Sequence, residues 1–201
     1  MSQTQTAVTQ SFLPWLPASP ALRTSLAILG GSLLLAIAAH ISVPLFFTPV
    51  PFTLQPMAVL LLGLMLEPTV AFATLVAYLV EGACGLPVFA PTGAVGMLHL
   101  MGPDGGYLMA YPFAVFLVSK LRRSMPASFT FAAIAAAAGS VVYFSGGAAW
   151  LAMIAHQPLS VALKLAVWPF VAGDALKVVL AAAMVTGFAR FRNRQGAVRE
   201  A

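Results

Sequence analysis

The chain has 201 residues, 61% of them hydrophobic and only 7% charged, and a mean hydropathy of +0.95. That composition leaves too little polar surface for a soluble globule of this size and points to an integral membrane protein. The net charge of +5 comes without a basic face interleaved with aromatics, which excludes a nucleic-acid surface, and the single cysteine, Cys84, excludes an intrachain disulfide or a site built on several thiolates.

Residues 1–21 are polar and then broken by Pro14, Pro17 and Pro20, with Phe12 and Trp15 between them. No basic residue precedes Arg23, so the segment lacks the start of a secretory signal; it reads as an unprocessed segment lying on headgroups through Trp15. Residues 22–191 form the membrane domain, an all-α bundle of six transmembrane helices. Their apolar runs are long and rich in Ala, Leu and Gly, unlike the alternating strands of a barrel.

Helix one is expected from Leu22 to Val43, long enough to cross a hydrocarbon core of about 30 Å. A proline-rich connection, Pro44 to Pro56, follows it. Helices two and three, Leu54–Leu66 and Thr69–Ala83, turn at Glu67 and Pro68 and are both shorter than the bilayer is thick. A Gly/Pro-rich segment from Gly82 to Gly106 leads to helix four, Tyr107–Leu121, and in it Cys84 reads as a small apolar residue beside Gly82 and Gly85. Helix five starts near Ala127 and reaches Tyr143 or beyond. The stretch Ala148 to Phe170 either prolongs it or makes a shallow helical connection, with Trp150 and Trp168 at the interface. Helix six, Val171–Phe191, closes the bundle, and a basic cytoplasmic tail occupies residues 192–201.

Eight of the ten basic residues fit one orientation. Arg23, Lys120, Arg122, Arg123, Arg190, Arg192, Arg194 and Arg199 all fall on the cytoplasmic side if six spans leave both termini inside. The Pro44–Pro56 loop, the Gly82–Gly106 segment and the start of helix six then lie together toward the outer face.

Helix six carries the oddest residues. Asp174 and Lys177 interrupt an apolar run, and a charge at mid-membrane costs roughly 2.5 to 3.5 kcal/mol even on mild insertion scales. Their i, i+3 spacing puts them on one helix face, where they form either an ion pair that fixes packing or a docking point for a small polar ligand. Gln55, Glu81, Asp104 and Tyr107 converge on the same third of the molecule, and interrupted helices beside such groups mark transporter sites. Asp104, after Pro103, reads equally as a solvated turn residue. His40, His99 and His156 lack metal-ligand spacing and read as structural. There is no phosphate loop, zinc-protease motif or serine elbow, so the chain needs a partner for any ATP hydrolysis.

Four ordered runs carry a resemblance. These are Pro49, Val50, Pro51, Phe52, Thr53, Leu54, Gln55; Gly82 to Ala90 (Gly, Ala, Cys, Gly, Leu, Pro, Val, Phe, Ala); Gly102, Pro103, Asp104, Gly105, Gly106, Tyr107; and Gly173, Asp174, Ala175, Leu176, Lys177. Together they resemble the signatures of the BioY family, the biotin-specific S components of energy-coupling factor (ECF) transporters, over about residues 22 to 190. The sequence departs from the family at Asp104, where Thr is common, and at Glu81, where an uncharged residue is expected.

The resemblance implies a six-helix S component in the bacterial inner membrane that captures biotin at high affinity from outside. It implies a transmembrane coupling (T) protein and a cytoplasmic pair of ABC-type ATPases as partners, with no cofactor of its own. Ala27 with Gly31, and Ser32 with Ala36, are then candidates for contact with the coupling protein, although small residues at this spacing also pack neighbouring helices within a chain. Biotin's ureido ring and carboxylate suit Asp174, Lys177, Gln55, Tyr107 and Glu81, with Phe52, Leu86, Val88 and Phe89 around its apolar parts. The first outer loop is expected to close over the ligand. Alternatives are an S component for another vitamin or heterocycle, a membrane enzyme acting on lipid headgroups with Asp174 and Glu81 as acid and base, and a structural subunit.

Overall fold

The computed structural model describes residues 19–199, with the side chains of residues 190 and 192–199 left aside. The expectation for the segment around Trp15 falls outside the described residues. Helix α1, Pro20–His40, starts where Ser19 accepts a hydrogen bond from the Leu22 N–H at 3.3 Å and Pro20 supplies a preset φ. It ends in a hairpin that the sequence did not announce. Strand β1, Ser42–Val43, pairs antiparallel with β2, Phe52–Thr53, in the register Ser42 to Thr53, and the Leu54 N–H donates to the Ile41 carbonyl. The hairpin pins the base of the proline-rich loop.

Helices α2, Gln55–Met65, and α3, Pro68–Ala83, have 11 and 16 residues, as short as expected. A four-residue turn of helix, α4, Met97–Leu100, interrupts the next segment, whose bends rest on Gly85, Gly93 and Gly96 at positive φ. Helix α5, Gly105–Ser124, contains Pro112, whose ring removes one internal hydrogen bond. Helix α6, Phe129–Ile154, is one unbroken helix through Gly146 and Gly147. The ambiguous stretch therefore does both things: its first residues prolong α6, and residues 159–166 form a separate connection, α7, Leu159–Ala166. Helix α8, Val171–Arg199, runs straight on through residues 192–199, so the expected basic tail is helical over that length. Of these helices, α1, α6 and α8 are long and apolar enough to cross a membrane.

The core is a seam of Leu, Val, Ala and Tyr on the facing sides of α2, α3, α5, α6 and α8, including Val59, Leu75, Val115 and Ala181. Small residues let the backbones approach, as in other membrane helix pairs. At Gly106 on α5 an added Cβ would stand 2.2 Å from the Trp150 Cβ and 2.5 Å from the Gly146 carbonyl of α6. The same logic corrects the reading of α1. Gly31 and Ser32 are buried inside the bundle, with a Gly31 Cβ landing 2.6 Å from Thr74 Cγ2, while Ala27 and Ala36 are half-buried. The outward face of α1 is instead Leu22, Leu26, Leu29, Leu33 and Ile37. Gly31 and Ser32 thus serve the α1–α3 contact, because helix rotation turns that pair inward.

Candidate functional site

Of the polar groups singled out in the sequence, Gln55, Asp104, Tyr107, Asp174 and Lys177 line one cavity and Glu81 does not. The start of α2 brings Gln55, the start of α5 brings Tyr107, and the start of α8 brings Asp174 and Lys177. With Val50, Pro51, Thr53, Tyr111, Tyr143, Phe144 and Phe170 they line a cavity of about 40 Å³. Asp174 and Lys177 are only 5% and 6% exposed, so each must find its hydrogen bonds within the protein.

They do not find them in each other. The Tyr143 hydroxyl donates to Asp174 Oδ1, and Ser140 Oγ lies 2.9 Å from that hydroxyl. Lys177 Nζ donates to the Thr53 carbonyl at 2.7 Å and stands 4.1 Å from the centre of the Phe52 ring, a cation–π contact. The ion-pair reading is thereby replaced: the anion faces α6, and the cation fastens the hairpin strand β2 across the cavity mouth. Thr48 reinforces that closure by donating to the Leu165 carbonyl ahead of α8 at 2.7 Å. Tyr107 donates to the Ala166 carbonyl, and Gln55 Nε2 donates to the Tyr78 hydroxyl at 3.0 Å, which donates to the Val88 carbonyl at 2.9 Å.

Three expected ligand contacts stand apart from the cavity. Glu81 accepts from Ser32 on α1 and does not line the cavity. Its position two residues before the end of α3 suggested the outer cluster, but the helix rotation carries it away. Removing its partner with Ser32→Ala is expected to lower stability by about 1 kcal/mol, read as a drop in the detergent melting temperature, with no change at the cavity. Phe89 lies against the small surface of Gly82, edge-on to Tyr78 and stacked 5.0 Å from His99. Phe52 covers Lys177 from behind, parallel to Phe170 at 6.2 Å and over Gly173, where a Cβ would collide with its ring at 2.5 Å. Of the other apolar residues, Leu86 is exposed at 52% and does not line the cavity. Cys84 is exposed, not packed beside its glycines, because it caps the end of α3.

Tyr143 and Tyr111, edge to face at 5.7 Å, were not singled out in the sequence. The available signal was a tyrosine in the middle of an Ala/Gly-rich helix, with Ser140 one turn before it. His99 was read as structural, and Asp104 as either a group of the site or a solvated turn residue, yet His99 Nε2 lies 2.9 Å from Asp104 Oδ2 and Nδ1 lies 2.9 Å from the Ala94 carbonyl. Burial pulls this imidazole down, but the Asp104 hydrogen bond and charge, with the Ala94 carbonyl, outweigh it and raise the His99 pKa. Among the described residues no group of three or more His, Cys, Asp or Glu is placed to hold a metal.

A helical membrane bundle that gathers buried, separately partnered charges around a cavity closed by a loop at one end is a membrane protein with a small-solute site. A family model narrows the class: the BioY family matches residues 5–194, and the chain belongs to that family. The chain is 35% identical over 148 residues to a probable biotin transporter BioY of Pyrococcus horikoshii, covering 74% of this chain and 85% of that one. It is 34% identical over 149 residues to the biotin transporter BioY of Thermotoga maritima, again covering 74% and 85%. Among solved structures, the S-component for biotin from an ECF-type ABC transporter superposes with a TM-score of 0.76 at 27% identity, covering 85% of this chain and 92% of that one. These relatives are transporters, which sets aside the lipid-headgroup enzyme and the structural subunit.

Proposed function

We propose that this chain is the biotin-binding, substrate-specific component of an ECF-type uptake transporter. The observation that carries the reading is the separate partnering of Asp174 and Lys177 at the cavity wall. Each charge is held by a group that a ligand can replace: a tyrosine hydroxyl on the anion and a loop carbonyl on the cation. Biotin's ureido N–H groups and its oxygens match those two roles, and the tyrosines offer flat surfaces for its rings.

A cavity of about 40 Å³ is far below the 300 to 1,000 Å³ of ordinary small-molecule sites. Binding therefore requires the hairpin and its loop to lift and close again over the ligand. The Lys177 to Thr53 bond is the latch in this scheme. The chain lies in the bacterial inner membrane with six spans and both termini in the cytoplasm, and ligand enters from outside. A transmembrane coupling protein and a pair of ABC-type ATPases drive its reorientation; ATP is hydrolysed on those partners, and no cofactor is held here.

Titration of the detergent-purified chain with biotin tests the substrate directly. Binding is expected to survive an excess of thiamine or riboflavin, and displacement by either would assign the site to another vitamin.

A further inference from the structure

A cavity of about 810 Å³ lies at the opposite end of α2, α5 and α8 from the solute site, with Leu61 and Met65 of α2, Met184 and Phe188 of α8, and Arg122 and Arg123 of α5 in its wall. At about 1.5 Å per residue the 11-residue α2 covers only about half of the hydrocarbon depth, whereas the 29-residue α8 exceeds it. The groove opens where α2 ends. Met184 and Phe188 are 53% and 55% exposed, so its apolar wall faces the lipid. The charge in it has one sign. Arg123 Nη1 donates to the Leu66 carbonyl and to Ser119 Oγ, each at 2.8 Å, which fixes that guanidinium at the end of the groove. Arg122 Nε is buried and has no hydrogen-bond partner among the described residues. Glu67, in the turn after α2, acts on Arg123 as a countercharge but does not line the groove.

We propose that this groove holds one anionic phospholipid of the cytoplasmic leaflet. An acyl chain lies along Leu61, Met184 and Phe188, and the phosphate sits at Arg122 and Arg123, whose guanidinium forks match its oxygens. The buried Arg122 Nε gains an acceptor. A protein segment of the same fit would have to carry carboxylates beside an apolar face at membrane depth, where they are costly. A phospholipid already carries its charge at that level, next to its chains. A soluble phosphate would leave the apolar wall uncovered.

The test is native mass spectrometry of the full chain in detergent, with palmitoyl-oleoyl phosphatidylglycerol or the phosphatidylcholine of the same chains. One phosphatidylglycerol is expected to bind about tenfold more tightly than phosphatidylcholine. Arg122→Gln is expected to lower that preference about fivefold, and Arg122→Lys to keep most of it. Met184→Trp, which fills the groove from its exposed side, is expected to weaken both lipids. Lys120→Gln removes an exposed cytoplasmic charge outside the groove and is expected to change neither. All four variants are expected to keep the melting temperature of the unmodified chain, so that a lost adduct reports the groove and not the fold. Equal affinity for the two lipids would overturn the proposal, and so would an equal loss of preference in Lys120→Gln, which would make the effect one of diffuse surface charge. Displacement by excess glycerol phosphate would overturn it by showing a phosphate site without a chain. Unchanged lipid binding in Met184→Trp would also overturn it, placing the lipid elsewhere. None of these outcomes depends on which solute the outer cavity takes.

Discussion

Asp174→Ala is expected to weaken biotin binding at least about a hundredfold in isothermal titration. The carboxylate is buried, its Oδ1 accepts from Tyr143, and Asp174 lines the cavity. Each hydrogen bond from a ligand N–H to an ionised carboxylate is worth about 1.5 to 3 kcal/mol, and alanine removes both the acceptor and its charge. Lys177→Ala is expected to cause a similar loss by a second route, since it also unlatches Thr53 and strips Phe52 of its cation. A purely structural role predicts the opposite pattern, a fall in ligand-free melting temperature with affinity spared. Because a charge at membrane depth is itself costly, the melting temperature of Asp174→Ala is expected to fall little if at all. Unchanged biotin affinity in both variants would remove the proposed site.

Gly106→Ala is expected to destabilise the bundle by about 3 kcal/mol, measured by thermal or denaturant unfolding in detergent. Alanine gains up to about 1 kcal/mol of helix propensity over glycine, so an ordinary exposed site would be stabilised. Here the methyl meets the Gly146 carbonyl at 2.5 Å and the Trp150 Cβ at 2.2 Å, and backbone cannot swing aside as a long side chain can. The helices must separate, shifting Tyr107 on the next residue and opening the cavity wall. Gly30→Ala is the control: nothing lies within 4 Å of its Cβ position, and it is expected to be neutral or stabilising. Equal effects at the two positions would show that α5 and α6 do not rely on close approach.

How much of the site could be read in the sequence depended on the kind of signal each residue carries. Asp174 and Lys177 stood out because a charge in an apolar helix is anomalous wherever the helix points. Gln55 and Tyr107 were found because proline- and glycine-rich runs marked the ends of short helices. Glu81 carried the same anomaly and misled, since its register on α3 turns it toward Ser32 instead of the cavity. Phe52 and Phe89 were chosen as apolar walls, and both instead sit behind the residues they support. Tyr143 was passed over because a tyrosine in a membrane helix is unremarkable until an anion is seen beside it.

Taken alone, the sequence determined that this is a multi-helix membrane protein of the BioY family with a charged break in its last helix. Composition, hydropathy and motif order are local properties that survive without coordinates. Only the tertiary structure decided which partner each charge takes, that β2 is latched over the cavity, and that His99 stands behind Asp104. Those facts depend on the rotation of each helix about its axis and on contacts between residues as far apart as Thr53 and Lys177, and a linear pattern specifies neither.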